Sequence, residues 1–376
     1  MSYEIVSYSP ALDTKIAELQ RHLWSPDVTL NAAYLKWKHL DNPFLTEPLV
    51  QLALHAGRAV AMRSAFGALW EAGDGQSTYL LPYVDDFVVA PEHRNTGIAR
   101  QVMQAAIDET NRRGFKYVVN LSAGPTTFVN SLATGWRRIG SFELVAHSTE
   151  SHTRLQQVAA IVRRTPLNRF VDVLRSILMR VVPPSRALEK IDRRGTASGP
   201  ITVAATARPQ EMAALIRRLP WDGRLRHVRN ESFLAWRFRN PLHDYRFLYW
   251  DDHDGLQGYL VLQLTKFPRP DFLLLNIADW EGVNEAARTA LLETALGIGG
   301  SSQLRTWAAT ASATTRSALQ AHGFVPVIRP GLRGRSEGLL VRRLEAGAED
   351  EPWLLNGRDL RSIDNWDLRM LYSMSA

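Results

Sequence analysis

The chain has 376 residues, of which 45% are hydrophobic and 22% are charged, so its composition is that of a globular protein and excludes a disordered or fibrous one. It carries 45 Lys and Arg against 38 Asp and Glu, and this net charge of +7 favours an anionic partner such as a phosphorylated small molecule, nucleic acid or anionic lipid. The absence of cysteine excludes disulfides, thiolate zinc sites and cysteine nucleophiles. We see neither a secretion signal nor a run of roughly 20 apolar residues, and therefore expect a soluble, cytoplasmic protein.

The two halves of the sequence match element by element in chain order. A short helix that ends in Asn-Pro surrounds Trp37, and a similar one surrounds Trp236, 199 positions later. The segments that follow are matched as well: 50–55 with 245–250, 59–69 with 257–264, 99–113 with 286–296, 117–121 with 304–308, and Gly135-Trp136 with Gly323-Phe324. Such a duplication of helices and strands predicts a mixed α/β layer fold in two tandem copies.

The expected domains are residues 1–149 and 201–345, joined by an insert at 150–200 and followed by a tail at 346–376. The insert is basic and has a helical apolar stripe within Arg154–Val182. Such a helix can lie on an anionic membrane, which makes peripheral membrane contact one reading. Covering the domain interface or a partner subunit is the more ordinary use, and the oligomeric state is left open.

The sharpest local pattern is the run Val88-Val-Ala-Pro-Glu-His-Arg94-Asn-Thr-Gly97-Ile-Ala99-Arg100. It predicts a strand, a tight turn and a helix that continues to Arg113. The N–H groups of a first helical turn have no partner in the helix and form an anion site. Small residues at 97 and 99 let a ligand approach the backbone, and the two arginines add charge, so a pyrophosphate is the natural occupant.

At these residues the chain resembles the GCN5-related N-acetyltransferase (GNAT) superfamily, whose phosphate loop reads Gln/Arg-x-x-Gly-x-Gly/Ala. The resemblance covers residues 1–147, and 201–345 as a diverged second copy. It implies that acetyl-CoA or another acyl-CoA binds in a V-shaped opening between two strands, and that no metal is needed. The coenzyme-binding residues it implies are Phe87, Val88, Val89, Arg94, Asn95, Thr96, Gly97, Ile98, Ala99, Arg100, Asn120 and Asn130.

The resemblance also implies a bulge at Phe87–Val89 and a backbone N–H near Val88 that polarises the thioester carbonyl. An acid on the same strand is implied as the base that deprotonates the acceptor amine. Strand alternation puts Asp85 on the face of Tyr83, and Asp86 on the other face unless the bulge intervenes, so we rank Asp85 first and Asp86 second as base. Tyr83 is a further candidate catalytic residue on this strand. A plain ion pair with an arginine is the alternative role for either aspartate.

Many relatives place a tyrosine four residues before the Gly-aromatic pair, as the acid for the leaving thiolate. Ser131 stands at that position here, so the acid is missing or comes from elsewhere. Ser131 is a candidate for a hydrogen bond to the sulfur, although a solvated helix serine is the more ordinary interpretation. Because CoA thiolate is a fairly good leaving group, a missing acid weakens the reaction without excluding it.

The second half lacks a phosphate loop. After the strand expected at 272–277, the sequence reads Ala278-Asp279-Trp280-Glu281, which is acidic and contains no arginine. Negative charge at this point would repel a pyrophosphate, so we expect no CoA in the second copy. It then either helps to shape the acceptor pocket or serves as a packing partner.

Other local patterns have ordinary structural interpretations. Asp251–Gly255 resembles a metal site but joins two apolar strands, which favours a hairpin turn. Trp37 and Trp236 could stack on a sugar or base, but packing between elements is favoured because both copies keep them.

The function predicted from the sequence is an acyl-CoA-dependent N-acyltransferase acting on the primary amine of a small molecule, with a nucleotide-linked amino sugar as the preferred acceptor. Two alternatives stay open: a non-catalytic CoA-binding scaffold, supported by the missing tyrosine, and a transferase that uses aminoacyl-tRNA, supported by the net charge. No aromatic-basic cluster typical of a nucleic-acid reader is present.

Overall fold

The structure is a computed structural model that describes residues 2–73, 75, 77–122, 125–148, 189, 191–193, 201–265, 274–299, 303–327, 338–345 and 351–373. The amphipathic stretch Arg154–Val182 lies outside this range. No helix within the described ranges is both long and apolar enough to cross a membrane.

Among its described residues, the first half contains four α-helices and a π-helical turn, besides shorter 3-10 turns. The helices are α1 (Asp13–Leu19), α2 (Val28–Leu35), α3 (Ile98–Arg112) and α4 (Pro125–Leu132), and the π-helical turn at Lys36–Leu40 continues α2. The strands are β1 (Glu4–Ser7), β2 (Leu49–His55), β3 (Arg58–Glu71), β4 (Thr78–Val89), β5 (Tyr117–Asn120), β6 (Arg137–Ser141) and β7 (Leu144–His147). Helix α3 is amphipathic, since Ile98, Val102 and Ala106 recur at helical spacing and are buried against the sheet.

The second half repeats this order. Its helices are α5 (Pro209–Arg218), α6 (Glu231–Arg237), α7 (Glu285–Gly299) and α8 (Ala313–Ala321). Its strands are β8 (Ile201–Ala204), β9 (Arg226–His227), β10 (His243–Asp252), β11 (Gly255–Thr265), β12 (Leu274–Gly282), β13 (Gln303–Trp307), β14 (Val325–Pro326), β15 (Gly338–Arg343), β16 (Leu354–Leu355) and β17 (Arg358–Asp359). The structure thus confirms the mixed α/β fold and its internal repeat, and Asp251–Gly255 forms the exposed β10–β11 hairpin turn.

Each sheet contains strands from both halves of the chain. The first sheet has the order β1-β2-β3-β4-β5-β15-β6, with β9 paired to β3, so a strand from the end of the second half lies between two strands of the first. The second sheet has the order β14-β7-β13-β12-β11-β10-β8, so β7 of the first half lies inside it. Neither sheet is therefore built from one continuous stretch of chain, and the closing strands of each half complete the sheet of the other.

The halves meet at two stacked tryptophans. The rings of Trp37 and Trp236 lie 4.8 Å apart at an angle of 9°. The indole N–H of Trp37 donates to the carbonyl of Trp236, and that of Trp236 donates to the carbonyl of Trp37, both at 2.7 Å. This reciprocal pair confirms the packing interpretation and leaves neither ring free to stack on a ligand.

The chain after β15 folds back over the junction. Trp366 is fully buried and packs edge-on against Trp70 of β3, with ring centroids 5.0 Å apart. Further along, the carbonyl oxygens of Leu371 and Ser373 accept hydrogen bonds from the guanidinium of Arg237. The tail therefore belongs to the core that the halves share.

Candidate functional site

Strands β4 and β5 diverge and form an opening in the first sheet. Their parallel pairing is confined to Tyr83 and Val119. Beyond this vertex β4 continues through Val84–Val89 while remaining paired with β3 on its other side. The backbone of β4 that faces β5 is consequently free to pair with a ligand, as the family resemblance implies.

A turn with unused N–H groups lies at the open end of β4. Gly97 is the N-cap residue of α3 and has a φ of +83°, and Asn95 has a φ of +63°. The backbone N–H groups of Ile98, Ala99 and Arg100 donate to no described residue, and α3 has no side-chain cap. A Cβ on Gly97 would meet nothing within 4 Å, so the space in front of these donors is open. This geometry suits an anion such as a pyrophosphate.

A cavity of about 550 Å³ extends from this turn along α3. Of the residues expected to bind coenzyme, it is lined by Asn95, Gly97, Ala99, Arg100 and Asn130. The other seven (Phe87, Val88, Val89, Arg94, Thr96, Ile98 and Asn120) are not among its lining residues. Their contact with a coenzyme stays a prediction.

Sequence reasoning missed several lining residues. On α3 these are Met103, Gln104, Ala106 and Ile107, and elsewhere they are Arg63, Val84, Ala133, Thr134, Trp136 and Arg342. The residues of α3 could have been found from helical spacing, because 99, 103 and 106 lie on one face of the helix. Arg342 could not, because only the exchange of β15 into the first sheet brings it to this cavity.

The bulge lies one residue earlier than expected. Arg63 pairs with Phe87 and Ser64 pairs with Asp85, so the extra residue is Asp86, not one within Phe87–Val89. Asp86 has a φ of +41°, which turns its side chain to the same side as that of Asp85. The simple alternation that would separate the two aspartates therefore fails here.

Both aspartates bind a buried lysine. The ammonium of Lys38, which is fully buried on the π-helical turn, donates to Asp85 Oδ2 at 2.7 Å and to Asp86 Oδ1 at 2.9 Å. The indole of Trp24 also donates to Asp86 Oδ1, at 3.1 Å. Burial alone raises the pKa of Asp86, but the Lys38 ammonium and the neighbouring His39 together outweigh it and lower the pKa to about 2. A carboxylate held so firmly in its ionised form is a weak base.

Asp85 has a route towards solvent that Asp86 lacks. Its Oδ1 accepts a hydrogen bond of 2.8 Å from the hydroxyl of Ser122, a half-buried residue just after β5. This bond crosses the opening at its vertex. Neither aspartate lines the cavity itself.

Tyr83 lies at the vertex, and its buried ring does not line the cavity. The ring packs edge-on against Phe66 at 4.6 Å. Burial, together with the negative charge of Asp85, raises the pKa of Tyr83 well above its usual value, although the neighbouring hydroxyls of Ser122 and Ser373 oppose this. The phenol is therefore protonated at neutral pH.

Ser131 is fully buried on α4, so the expectation of a solvated serine is wrong. Its hydroxyl has no hydrogen-bond partner among the described residues and does not line the cavity. Its neighbour Asn130 is exposed and does line the cavity.

The opening of the second half differs in charge and in capping. The acids that were expected in a loop, Asp279 and Glu281, lie in β12 itself, which continues to Gly282. The side chain of Asn284 accepts a hydrogen bond from the N–H of Ala287 at 2.8 Å, so a first-turn donor of α7 is already used. This helix end offers a pyrophosphate neither free arginine side chains nor a full set of N–H groups.

A second cavity of about 470 Å³ nevertheless lies in this opening. Its acids are paired: Arg229 bonds Asp279 at 2.9 Å and Glu281 at 2.6 Å, and Arg369 bonds the same two at 3.0 and 2.9 Å. The two openings are thus related in fold but not in chemistry.

The comparisons with known proteins agree with this geometry. Residues 16–130 match the model of the Acetyltransferase (GNAT) family. No curated protein sequence matches the chain.

Three solved structures share the fold at low sequence identity. A tandem GNAT protein from the clavulanic acid biosynthesis pathway is 14% identical, with a TM-score of 0.54 over 92% of this chain and 100% of that one. A GCN5-related N-acetyltransferase from Anabaena variabilis is 12% identical, with a TM-score of 0.56 over 92% of this chain and 73% of that one. A probable N-acyltransferase from Enterococcus faecalis is 10% identical, with a TM-score of 0.58 and the same coverage. Residues 16–130 therefore match the GNAT family, and the chain as a whole has the fold of a tandem GNAT protein.

Proposed function

We propose that the protein is an acyl-CoA-dependent N-acyltransferase that transfers an acyl group to the primary amine of a small molecule. The observation that carries this proposal is the row of unused N–H groups at Ile98, Ala99 and Arg100, which open into the cavity beside the diverging strands β4 and β5. In this arrangement the pyrophosphate of CoA binds the turn, and the pantetheine arm pairs with the free backbone of β4. The thioester then lies near the vertex.

The chemistry we infer is direct attack in a ternary complex. Asp85 accepts a proton from the acceptor ammonium, relayed by the hydroxyl of Ser122, which bonds Asp85 at 2.8 Å. The amine nitrogen attacks the thioester carbon, and a backbone N–H of β4 next to the thioester stabilises the charge on the carbonyl oxygen. The carbon–sulfur bond then breaks, and CoA leaves as a thiolate that takes up the proton released by the attacking nitrogen. Lys38 bonds both aspartates, but only Asp85 also bonds Ser122, whereas Asp86 bonds the buried indole of Trp24, so Asp86 is the weaker candidate for base.

For the acceptor we propose a nucleotide-linked amino sugar, now on the basis of net charge alone. The stacking of Trp37 on Trp236 removes the aromatic platforms that also favoured it. The second half takes no CoA in this proposal, because β12 carries acids and Asn284 caps α7. It contributes instead to the shape of the acceptor side.

The test measures free-thiol release with a panel of amine acceptors, together with CoA binding by calorimetry. Asp85→Asn is expected to lower turnover by roughly 10²- to 10⁴-fold, the usual contribution of a general base, while CoA affinity stays unchanged. Asp41→Asn, at the exposed end of the π-helical turn, is the matched control and should retain activity. If the wild type binds CoA but releases no thiol with any amine, a non-catalytic CoA-binding protein replaces this proposal.

A further inference from the structure

A buried arginine that contacts the ring of Phe87, but has no anion bonded to it within the described residues, faces the cavity. Arg63 of β3 is 4% exposed and lines the cavity, yet it forms no hydrogen bond or ion pair with the described residues. Burial lowers its pKa to about 10, opposed by the charges of Asp85 and Asp86, so it remains a cation at neutral pH. A buried cation normally requires an anion that bonds it, since leaving water costs several kcal/mol.

A second arginine reaches the same cavity from the other half of the chain. Arg342 lies on the exchanged strand β15, is half-buried, and likewise forms no hydrogen bond or ion pair with a described residue. Burial lowers its pKa, and the charge of Asp108 only partly opposes this. Two arginines therefore line the same cavity.

Arg342 lies at the acyl end of the cavity, and Arg63 lies between that end and the phosphate end. Arg342 pairs with Val118, one residue from the vertex at Val119. The phosphate-binding turn begins only after β4 has run six further residues, Val84 to Val89, which at ~3.3 Å per residue is roughly 20 Å away. Arg63 pairs with Phe87 of β4, and its guanidinium carbon lies 5.5 Å from the centre of the Phe87 ring.

The buried charges around the cavity do not cancel. Asp85 and Asp86 supply two negative charges, and Lys38 bonds both, which leaves one negative charge against the two guanidinium groups. Asp108 also acts on Arg342, but its carboxylate is exposed and accepts a hydrogen bond from Gln104, so water screens its charge. His39 does not alter this balance, because burial lowers its pKa and favours the neutral ring. The buried groups can therefore accept one more negative charge.

We propose that the acyl group carried into this cavity ends in a carboxylate, so that the donor is a dicarboxylic acyl-CoA bound by Arg63 and Arg342. The inference rests on the proposed function and narrows its donor. The apolar surfaces of Val84, Ile107 and Trp136, which also line the cavity, pack against the methylene groups of such an acyl chain. The guanidinium groups take its terminal carboxylate through charge-assisted hydrogen bonds.

The experiment compares the binding of succinyl-CoA with that of butyryl-CoA, which has the same number of acyl carbons and no carboxylate. Calorimetry on the full chain should show succinyl-CoA bound at least tenfold more tightly, the usual effect of a hydrogen bond between charged groups.

Arg342→Met should abolish this preference while changing the affinity for free CoA by less than threefold. Arg63→Met should act in the same direction. Arg112→Gln, an exposed arginine at the far end of α3, is the matched loss of charge and should change neither affinity.

The possible outcomes distinguish a failure of the inferred acyl donor from a failure of CoA binding itself. Equal binding of the two acyl-CoAs, alongside normal binding of free CoA, overturns this inference and leaves the proposed function intact. A second outcome would also overturn the inference: Arg342→Met lowers the affinity for free CoA as much as that for succinyl-CoA, but leaves the affinity for 3′-dephospho-CoA unchanged. The arginine would then bind a phosphate of the coenzyme. If neither CoA nor any acyl-CoA binds, the proposed function falls together with it. If Arg63→Met does not fold, the result for Arg342→Met alone decides.

Discussion

Trp37 and Trp236 occupy equivalent positions in the two halves and bond each other reciprocally, each indole donating to the backbone carbonyl of the other at 2.7 Å. Such an exchange requires a local twofold relation between the helices that carry the two residues. The two equivalent tryptophans of the sequence repeat are therefore in direct contact with each other. It also explains why both tryptophans are needed: each satisfies a buried carbonyl that its partner exposes.

Replacing Trp236 by Phe should destabilise the protein by about 1–3 kcal/mol, because the carbonyl of Trp37 loses its buried donor while the ring stack is largely kept. Urea unfolding followed by circular dichroism measures this difference. Trp307→Phe is the control. Trp307 also stacks on an aromatic ring, that of Phe142 at 4.0 Å, but its indole N–H donates no hydrogen bond to a described residue. Equal losses for the two variants would show that ring volume, not the reciprocal bond, stabilises the junction.

Lys38 is expected to matter more for stability than any exposed lysine. Lys38→Met leaves two buried carboxylates without their cation, which typically costs about 3–5 kcal/mol. Lys36→Met, two residues away and paired with Asp41 at the surface, should cost less than ~1 kcal/mol. Unfolding free energies at neutral pH provide the comparison.

The penalty of Lys38→Met should shrink as the pH falls. In the wild type the pKa of Asp86 is lowered to about 2, so the stability from its ionised form is present above its ordinary pKa near 4 and is lost only as the pH falls towards 2. Without the ammonium, burial raises the pKa of Asp86, and this carboxylate becomes neutral already in mild acid. Unfolding at pH 7 and at pH 4.5 measures the change, and a penalty that is independent of pH would contradict this account.

The elements that the sequence predicts well are those encoded by local pattern. The amphipathic helix α3, the turn at Gly97 and the repeated helix around each tryptophan all follow from spacing within a few residues. The bulge is different: alternation along β4 is broken by one residue, and only the pairing with Arg63 and Ser64 shows that this residue is Asp86. The burial of Ser131 and the arrival of Arg342 in the cavity depend on how distant segments pack, which no local pattern records.

Gly97 should be required for coenzyme binding beyond its effect on the backbone. Its φ of +83° disfavours any other residue, and the same holds for Gly114 at the other end of α3, where φ is +79°. An added Cβ meets nothing within 4 Å at either position. Gly97→Ala and Gly114→Ala should therefore lose similar stability, about 1 kcal/mol each.

Only Gly97→Ala is expected to weaken CoA binding in addition, by at least tenfold, because its Cβ occupies the space in front of the first-turn N–H groups. Calorimetric titration of both variants with CoA separates the steric effect from the backbone strain that they share. Similar CoA affinities for the two alanine variants would mean that the phosphates bind elsewhere.

The strand exchange predicts that the domains expected at 1–149 and 201–345 do not fold separately. A fragment of residues 1–148 lacks β15, whose Leu339, Leu340 and Val341 are fully buried between β5 and β6, and it carries β7 without its partners. Each such fragment would expose unpaired strand edges and apolar side chains, which favours aggregation. Fragments 1–148 and 201–376 produced together should instead form a stable complex, since every exchanged strand then finds its neighbours. Size-exclusion chromatography and thermal unfolding distinguish these outcomes, and a monomeric, cooperatively unfolding 1–148 fragment would refute the exchange.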